Sequence, residues 1–435
     1  MSRAVRGDER QGRGGRLFVG YTFQMQDIGS CSGWLWRLIL LVAAWGACTS
    51  LQGRTQDEEE ARSLRAWGYV DFPSESARAR KKGAAGLTHS RPSLTSPGYT
   101  LITAIPEARA LVVDMAGDEV HRWQNRRDKV WVRAELSKTG DLLVIGRREV
   151  RGGDGRPIEE GFIARYGWDG TEHWRQNNTA HHDLDQLPGG DILTLGLGER
   201  RLGKLRFEDN DLLFLSADGE LRRRLSLYDL LASRPDILSL AEILAKHPDA
   251  RSSQGPAFDL LHANAVQQMP FPDLEGRGKV YGRSNILVTV RHQDLVAVVD
   301  PQQQRLVWAW GPGEIQFPHE ATWLENGNIL LFDNGSAYRE HSRIVEVDPL
   351  TDEIVWTWRH LRPKRFYSSG RGTVQALPAG NVLVASSNQG EIFEVTRTGR
   401  IVWRYLSRGT NGRLLTVRAE RYPTAWVEPF LAGGR

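Results

Sequence analysis

The 435-residue chain has only two cysteines, Cys31 and Cys48, and both lie near its start. Everything after them is therefore without a disulfide, a thiolate metal site or a thiol nucleophile. The one long apolar run, from Trp34 to Ala47 and broken only by Arg37, is shorter than the ~20 residues that a spanning helix needs. A P-loop, a Rossmann glycine pattern and a Gly-x-Ser-x-Gly elbow are all missing, so the usual marks of nucleotide binding and serine hydrolysis are absent. The net charge of +4 owes much to Arg3, Arg6, Arg10, Arg13 and Arg16. No basic stripe interleaved with aromatics accompanies it, which makes nucleic acid a poor partner.

The apolar run fits the h-region of a signal peptide. Met25 offers an alternative start to Met1 and a shorter n-region. Gly46-Ala47-Cys48 resembles a lipoprotein cleavage site with Cys48 as the lipidated residue, although Trp45 stands where Leu is usual. Lipoprotein, uncleaved anchor and ordinary cleaved signal all export the rest of the chain. Residues 1–48 are thus read as signal or anchor, and 49–95 as a polar linker.

What is present is a repeat. From Pro97 onward, short Val/Ile/Leu runs alternate with Gly, Asn and Asp turns, a strand pattern. A hairpin of the form turn, Gly, two residues, apolar, Trp recurs, with equivalent positions at His121, Trp174, Arg223, Trp308, Trp356 and Trp403. The steps are 53, 49, 85, 48 and 47 residues. A period near 48 with about four strands per unit predicts a β-propeller, and six copies predict six blades. The long step holds an insertion at about 226–258, whose Leu227, Leu230, Leu231, Ile237 and Leu240 suit helix. The first strand, near 99–104, and the last, near 414–418, are expected to share a blade and close the ring, which removes exposed sheet edges. The fold class is therefore all-β, a six-bladed propeller over residues 96–435 with one helical insertion.

A second repeated element, Leu-x-x-Gly-x-Ile-Leu, starts at Leu187, Leu324 and Leu377, with looser copies at Met269 and Leu136. Five residues before each leading position stand His182, His319, Gly372, Asn264 and Trp131. His262 lies two residues before Asn264, on the same strand face. If this strand is innermost, these residues ring one channel mouth, and Arg147, Arg291, Asn334 and Ser387 join them from the next strand. His319 and Asn334 close one hairpin through the Asn326-Gly327 turn, so they share an end.

For any one of these residues, hydrogen bonding in a polar channel is the plain explanation. The convergence of His182, His262, His319 and Arg291, with no Asp or Glu at the equivalent positions, favours an anionic ligand. A three-histidine metal site competes, but Arg291 opposes it and no His-x-His pair or carboxylate supports it. No metal and no cofactor is expected. His181 should face away from the mouth as a structural residue, although a slip of one would exchange it with His182. His292 should point away from Arg291. Trp174, Trp308, Trp356 and Trp403 should pack between blades, and Asp300, Asp333 and Asp348 should cap turns.

His181-His-Asp-x-x-x-Leu-Pro-Gly-Gly190, Leu261-His-Ala-Asn264, the Val290-Arg291 strand end, Pro318-His-Glu-x-x-Trp-Leu-x-Asn-Gly-Asn-Ile-Leu-Leu-Phe-Asp-Asn-Gly335 and Phe366-Tyr-Ser-Ser-Gly-Arg-Gly-Thr373 together resemble the bacterial arylsulfotransferase family, over roughly residues 96–425. The resemblance implies a six-bladed propeller whose funnel holds a nucleophilic histidine, here His319. It would take a sulfuryl group from an aryl sulfate as a sulfohistidine and pass it to a phenol, without a nucleotide donor. Contacts to the sulfuryl group fall on His182, His262 and Arg291, with Asn264, Asn334 and Thr373 alongside. The implied partners are a small aryl sulfate and a phenol, and the expected location is the periplasm or the outer face of a bacterial inner membrane. Membrane contact would run through the N-terminal segment or a lipidated Cys48. The extra N-terminal β-domain and the disulfide of well-known members are not evident. The alternative is a non-catalytic exported propeller that binds an anionic or carbohydrate ligand or a protein. Eight blades, or a carboxylate cluster at the mouth, would point instead to a quinone-cofactor dehydrogenase.

Overall fold

The computed structural model describes residues 85–153, 156–203, 205–246, 257–336, 339–407 and 418–433. The expectations for Met25, the apolar run and Cys48 lie outside them. Among the described residues no helix is long and apolar enough to cross a membrane.

Six antiparallel sheets follow one another along the chain. Blade 1 is Tyr99–Thr103, Arg109–Val113 and Glu119–Gln124, joined by Arg418–Tyr422 from the other end of the chain. Blade 2 is Val130–Leu136, Leu142–Arg151, Pro157–Tyr166 and Glu172–Asn177, and blade 3 is Ala180–Gln186, Ile192–Leu202, Leu205–Leu215 and Leu221–Ser226. Blade 4 is Ala263–Gln268, Ile286–Val290, Leu295–Asp300 and Arg305–Trp310, and blade 5 is His319–Trp323, Ile329–Asp333, Arg343–Asp348 and Glu353–Trp358. Blade 6 is Thr373–Ala376, Val382–Ser386, Glu391–Val395 and Ile401–Leu406. The first strands of blades 2 to 6 lie beside one another as the innermost strands, as the repeat predicts, and Arg418–Tyr422 takes that place in blade 1.

Burial explains the strand compositions. Second strands such as Ile286–Val290 and Ile329–Asp333 are covered on both faces by neighbouring blades and are buried throughout. Outermost strands keep the alternation of a half-exposed sheet, as in Glu353–Trp358. The Leu-x-x-Gly motif is the hairpin between first and second strands. The N–H of Leu187, Leu324 and Leu377 donates to the carbonyl four residues on, at 2.8–2.9 Å. Gly190, Gly327 and Gly380 carry φ of +96°, +96° and +78°. These are three-residue loops with glycine at the left-handed position, and only the Gly of Asn326-Gly327 has positive φ.

Tryptophans on the fourth strands, the repeated Trp308, Trp356 and Trp403 among them, join blades through their indole N–H as well as by packing. Trp123 donates to the Gly167 carbonyl, Trp308 to Asp352, Trp356 to the Arg397 carbonyl and Trp403 to the Met115 carbonyl, each in the next blade. Asp300 and Asp348 cap turns as expected. Asp333 does more: it is fully buried and binds Arg339 and Arg343.

The ring closes one step later in sequence than expected, at Arg418–Tyr422 rather than 414–418, because the pairing register runs Tyr99 to Tyr422. The linker expectation is corrected at its end. Gly86–Ser90 adds a fifth strand to the outer edge of blade 6, and its partner Ile401–Leu406 explains why a polar segment is ordered there. The insertion forms two short helices, Leu227–Ala232 and Leu240–Lys246, with Leu227, Leu230 and Leu231 buried against blades 3 and 4. It ends in Phe258–Asp259, which pairs parallel to Phe207–Glu208 of blade 3.

Candidate active site

Four inner strands carry a β-bulge near the channel mouth. It falls between Trp131 and Arg133, His181 and Leu184, Ala263 and Ala265, and His319 and Thr322. Three of these insert one extra residue and the blade 3 strand inserts two, His182 and Asp183, and a bulge re-aims the side chains there. Here Val132, His182, Asn264 and Glu320 all turn into one cleft, with His319, Gly370, Arg371, Gly372, Thr373 and Arg418 completing its wall. The cleft encloses about 390 Å³, its open mouth included. Two expectations are corrected by this one-residue shift. Trp131 belongs to the core and Val132 takes its place, and a carboxylate, Glu320, stands beside His319. Gly372 has no side chain because a Cβ there would lie 2.6 Å from the Phe332 ring.

His319 has a defined tautomer. The Asn334 amide donates to the carbonyls of Ser368 (2.5 Å) and Arg371 (3.0 Å), which turns its Oδ1 towards the imidazole. His319 Nδ1 therefore donates to Asn334 Oδ1 at 2.8 Å and lies 3.1 Å from the Phe317 carbonyl. The lone pair is left on Nε2. Burial, then the Arg291 charge, hold the imidazole well below its ordinary pKa, so it is neutral.

His182 faces the cleft, and His181 is buried behind it. The Ala263 N–H donates to Asn210 Oδ1, so Asn210 Nδ2 faces His181 Nε2, at 3.3 Å. That leaves the His181 proton on Nδ1, where it meets His182 Nδ1 at 2.5 Å. By this chain His182 carries its own proton on Nε2. Burial drives both rings to the neutral form, His181 down to about 3. His182 and His319 thus stand at the mouth as neutral imidazoles rather than as positive charges.

Arg291 departs from expectation. Residues Arg291–Gln293 form a 3-10 turn, so strand alternation fails and His292 turns towards Arg291. Arg291 Nη1 donates to His292 Nε2 at 2.9 Å, and the guanidinium lies over the Phe317 ring at 4.9 Å. Arg291 stands close enough to act on His319, but the cationic side chains on the cleft wall are Arg371 and Arg418. Arg147 is fully buried, donating to the carbonyls of Ala180 (2.8 Å) and Gly146 (3.1 Å), and Ser387 lies buried in a 3-10 turn. Asn264 Nδ2 donates to the Pro318 carbonyl at 2.9 Å, and its Oδ1 has no partner among the described residues. Thr373 lines the cleft.

His262 binds Asp259 through Nδ1, and a second, open pocket of about 230 Å³, its mouth included, joins these two to His181, His182, Glu208 and Asn210. Ligating atoms of Asp259, His262 and His292 lie within 4.8 Å of one another, so a carboxylate does accompany two histidines. The hydrogen bonds oppose a metal there. His292 Nδ1 donates to the Asp259 carbonyl at 2.9 Å while Nε2 accepts from Arg291, and metal on Nδ1 would set an Nε2 proton against the guanidinium.

Carboxylates do occupy the channel below the cleft. Glu320 is paired with Arg418, Asp183 with Arg418 and Arg133, and Glu135 with Arg133. Burial pushes Asp185 up to about 6 and raises Glu135 and Glu320 as well, against the pull of the arginines. They form an arginine-paired floor.

The described residues form a six-bladed propeller with a neutral, oriented histidine at one mouth of its channel. The chain belongs to the arylsulfotransferase (ASST) family, whose model matches residues 181–408. No curated protein gives a significant match. Among solved structures, a protein of unknown function from Bacteroides caccae is 12% identical over 74% of this chain and 98% of its own, with a TM-score of 0.49. A streptogramin B lyase is 12% identical over 79% and 87%, with a TM-score of 0.42. AztD from Citrobacter koseri is 9% identical over 75% and 98%, with a TM-score of 0.38.

Proposed function

We propose that the protein moves a sulfuryl group from an aryl sulfate to a phenol through a sulfohistidine on His319. The observation that carries this reading is the lone pair on His319 Nε2, fixed by Asn334 at the opposite nitrogen. A buried neutral imidazole with its proton held elsewhere is a nucleophile ready for attack at sulfur. Charge on the sulfuryl oxygens would be met by Arg371 and Arg418 on the wall, by His182 Nε2–H and by the nearby Arg291. Fixed cations and donors stabilise phosphoryl transfer in the same way. The unpartnered Asn264 Oδ1 suits the hydroxyl proton of an incoming phenol. We further propose that the chain acts outside the cytoplasm, the motive being the 34–47 run that ends at Cys48.

The test is turnover with a nitrophenyl or methylumbelliferyl sulfate and a phenol acceptor. Wild-type protein should release the donor phenol, and His319→Ala should lose that activity while keeping its circular dichroism and melting temperature. Activity retained in His319→Ala, or none in the wild type across several donors, would leave the binding propeller as the better reading.

A further inference from the structure

The insertion after residue 226 ends by returning to the site. Phe258–Asp259 runs parallel to Phe207–Glu208, on the part of the blade 3 hairpin that extends past the mouth. This pairing delivers Asp259 to His262. One carboxylate oxygen accepts the His262 backbone N–H at 3.1 Å and the other accepts Nδ1–H, so ring and backbone are both held. His262 takes up φ of +48° under this double contact. With Nδ1 occupied, Nε2 is the ring nitrogen left for a bound molecule. The His262 ring lies 5.1 Å from that of His182, and it acts on His319.

The other groups around His262 are His181 and His182 from the blade 3 inner strand, Glu208 from the hairpin, and Arg291 and His292 from the turn after Val290. His319, His182, His181 and His292 are all driven towards the neutral form, chiefly by burial. Asp259 is held at about 2, because burial, which would raise it, is outweighed by the His262 hydrogen bond and charge. An ionised carboxylate at one imidazole nitrogen favours a proton on the other. His319 Nδ1 faces the amide oxygen of Asn334 whereas His262 Nδ1 faces the Asp259 carboxylate, so the two rings differ in the partner that holds them.

We propose that Asp259 is a positioning residue that makes His262 the proton carrier of the transfer, which extends the substrates to phenols of low acidity. The proposal rests on the sulfuryl-transfer reading above. In the first half, the bond from sulfur to the aryl oxygen breaks as His319 Nε2 bonds to sulfur. His262 begins as the imidazolium of its ion pair with Asp259. The electron pair goes to the aryl oxygen, which takes the His262 Nε2 proton and leaves as a phenol. His262 is left neutral, with its Nδ1 proton on Asp259. His319 keeps its Nδ1 proton on Asn334, so the sulfo-imidazole is neutral overall. In the second half, the acceptor gives its hydroxyl proton to His262, its oxygen attacks sulfur, and the nitrogen–sulfur electron pair returns to His319. Atoms, protons and charge balance without another reactant.

The experiment compares aryl sulfates of graded leaving-group acidity on wild type, Asp259→Asn and Asp259→Glu, reading phenol release in a single turnover. A nitrophenolate leaves without a proton, whereas an unsubstituted phenolate needs one. Asp259→Asn should lose about tenfold or less with the nitrophenyl donor and about 100-fold or more with phenyl sulfate, the scale of general acid catalysis. Asp259→Glu should recover part of the second loss. Equal losses on both donors would overturn the proposal by marking Asp259 as merely structural. Should the variants not fold, the wild type decides: a shallow dependence on leaving-group acidity supports proton delivery, and a steep one overturns it. A wild type that forms no adduct with any donor fails at the earlier reading, which a steep but productive wild type does not.

Discussion

At the scale of single residues the site is built from tautomers. Asn334 spends both amide protons on backbone carbonyls, so its oxygen can only accept from His319, and the ring's lone pair is placed on Nε2, the atom proposed as the nucleophile. Burial and Arg291 then keep that imidazole neutral. The consequence for pH has a definite sign. The folded pKa lies well below the ordinary value of ~6.5, so the nucleophile is lost only as pH falls through that lower value. Single-turnover release from a nitrophenyl donor, which needs no proton, should be level between pH 7.5 and pH 6.0. An unperturbed imidazole would lose about fourfold over the same interval, and such a fall would contradict the assignment.

At the scale of elements, the repeated Trp links blades. Trp403 is fully buried and donates its indole N–H to the Met115 carbonyl across the join between blades 6 and 1. Trp403→Phe keeps most of the packing and should cost about 1 kcal/mol, the net worth of one hydrogen bond. Trp403→Ala should cost about 3–5 kcal/mol through the cavity it leaves. Urea unfolding checks both, and equal losses would mean that the indole N–H dominates. The blades were legible in the sequence because this Trp and the Leu-x-x-Gly hairpin recur at one spacing. The bulges were not, since one extra residue leaves the motif intact while it moves the cleft-facing position from Trp131 to Val132 and brings in Glu320. Arg371 and Asp259 escaped for another reason: each lies outside the repeated element, Arg371 in a loop before an inner strand and Asp259 at the end of the insertion. The turn at Arg291–Gln293 broke the alternation on which the separation of Arg291 from His292 depended.

At the scale of the molecule, no blade holds the site alone. Blade 3 gives His182, the segment before blade 4 gives His262 and its inner strand Asn264, blade 5 gives His319 and Asn334, and the approach to blade 6 gives Arg371 and its inner strand Thr373. Ring closure fixes their separations. Arg418–Tyr422 completes blade 1 and Gly86–Ser90 seals blade 6, while the fully buried Arg421 and Glu394 pair across that junction. The channel floor ties blades 1, 2, 3 and 5 together through Arg418, Arg133, Asp183 and Glu320. If His319 is the nucleophile proposed above, the protein should trap half of the reaction when the acceptor is withheld. The most direct measurement is the mass of the intact protein after incubation with an aryl sulfate alone, followed by peptide mapping. The account predicts one added sulfuryl group, located on His319 and discharged by a phenol. Phenol-dependent turnover with no such adduct, or an adduct on another residue, would contradict it.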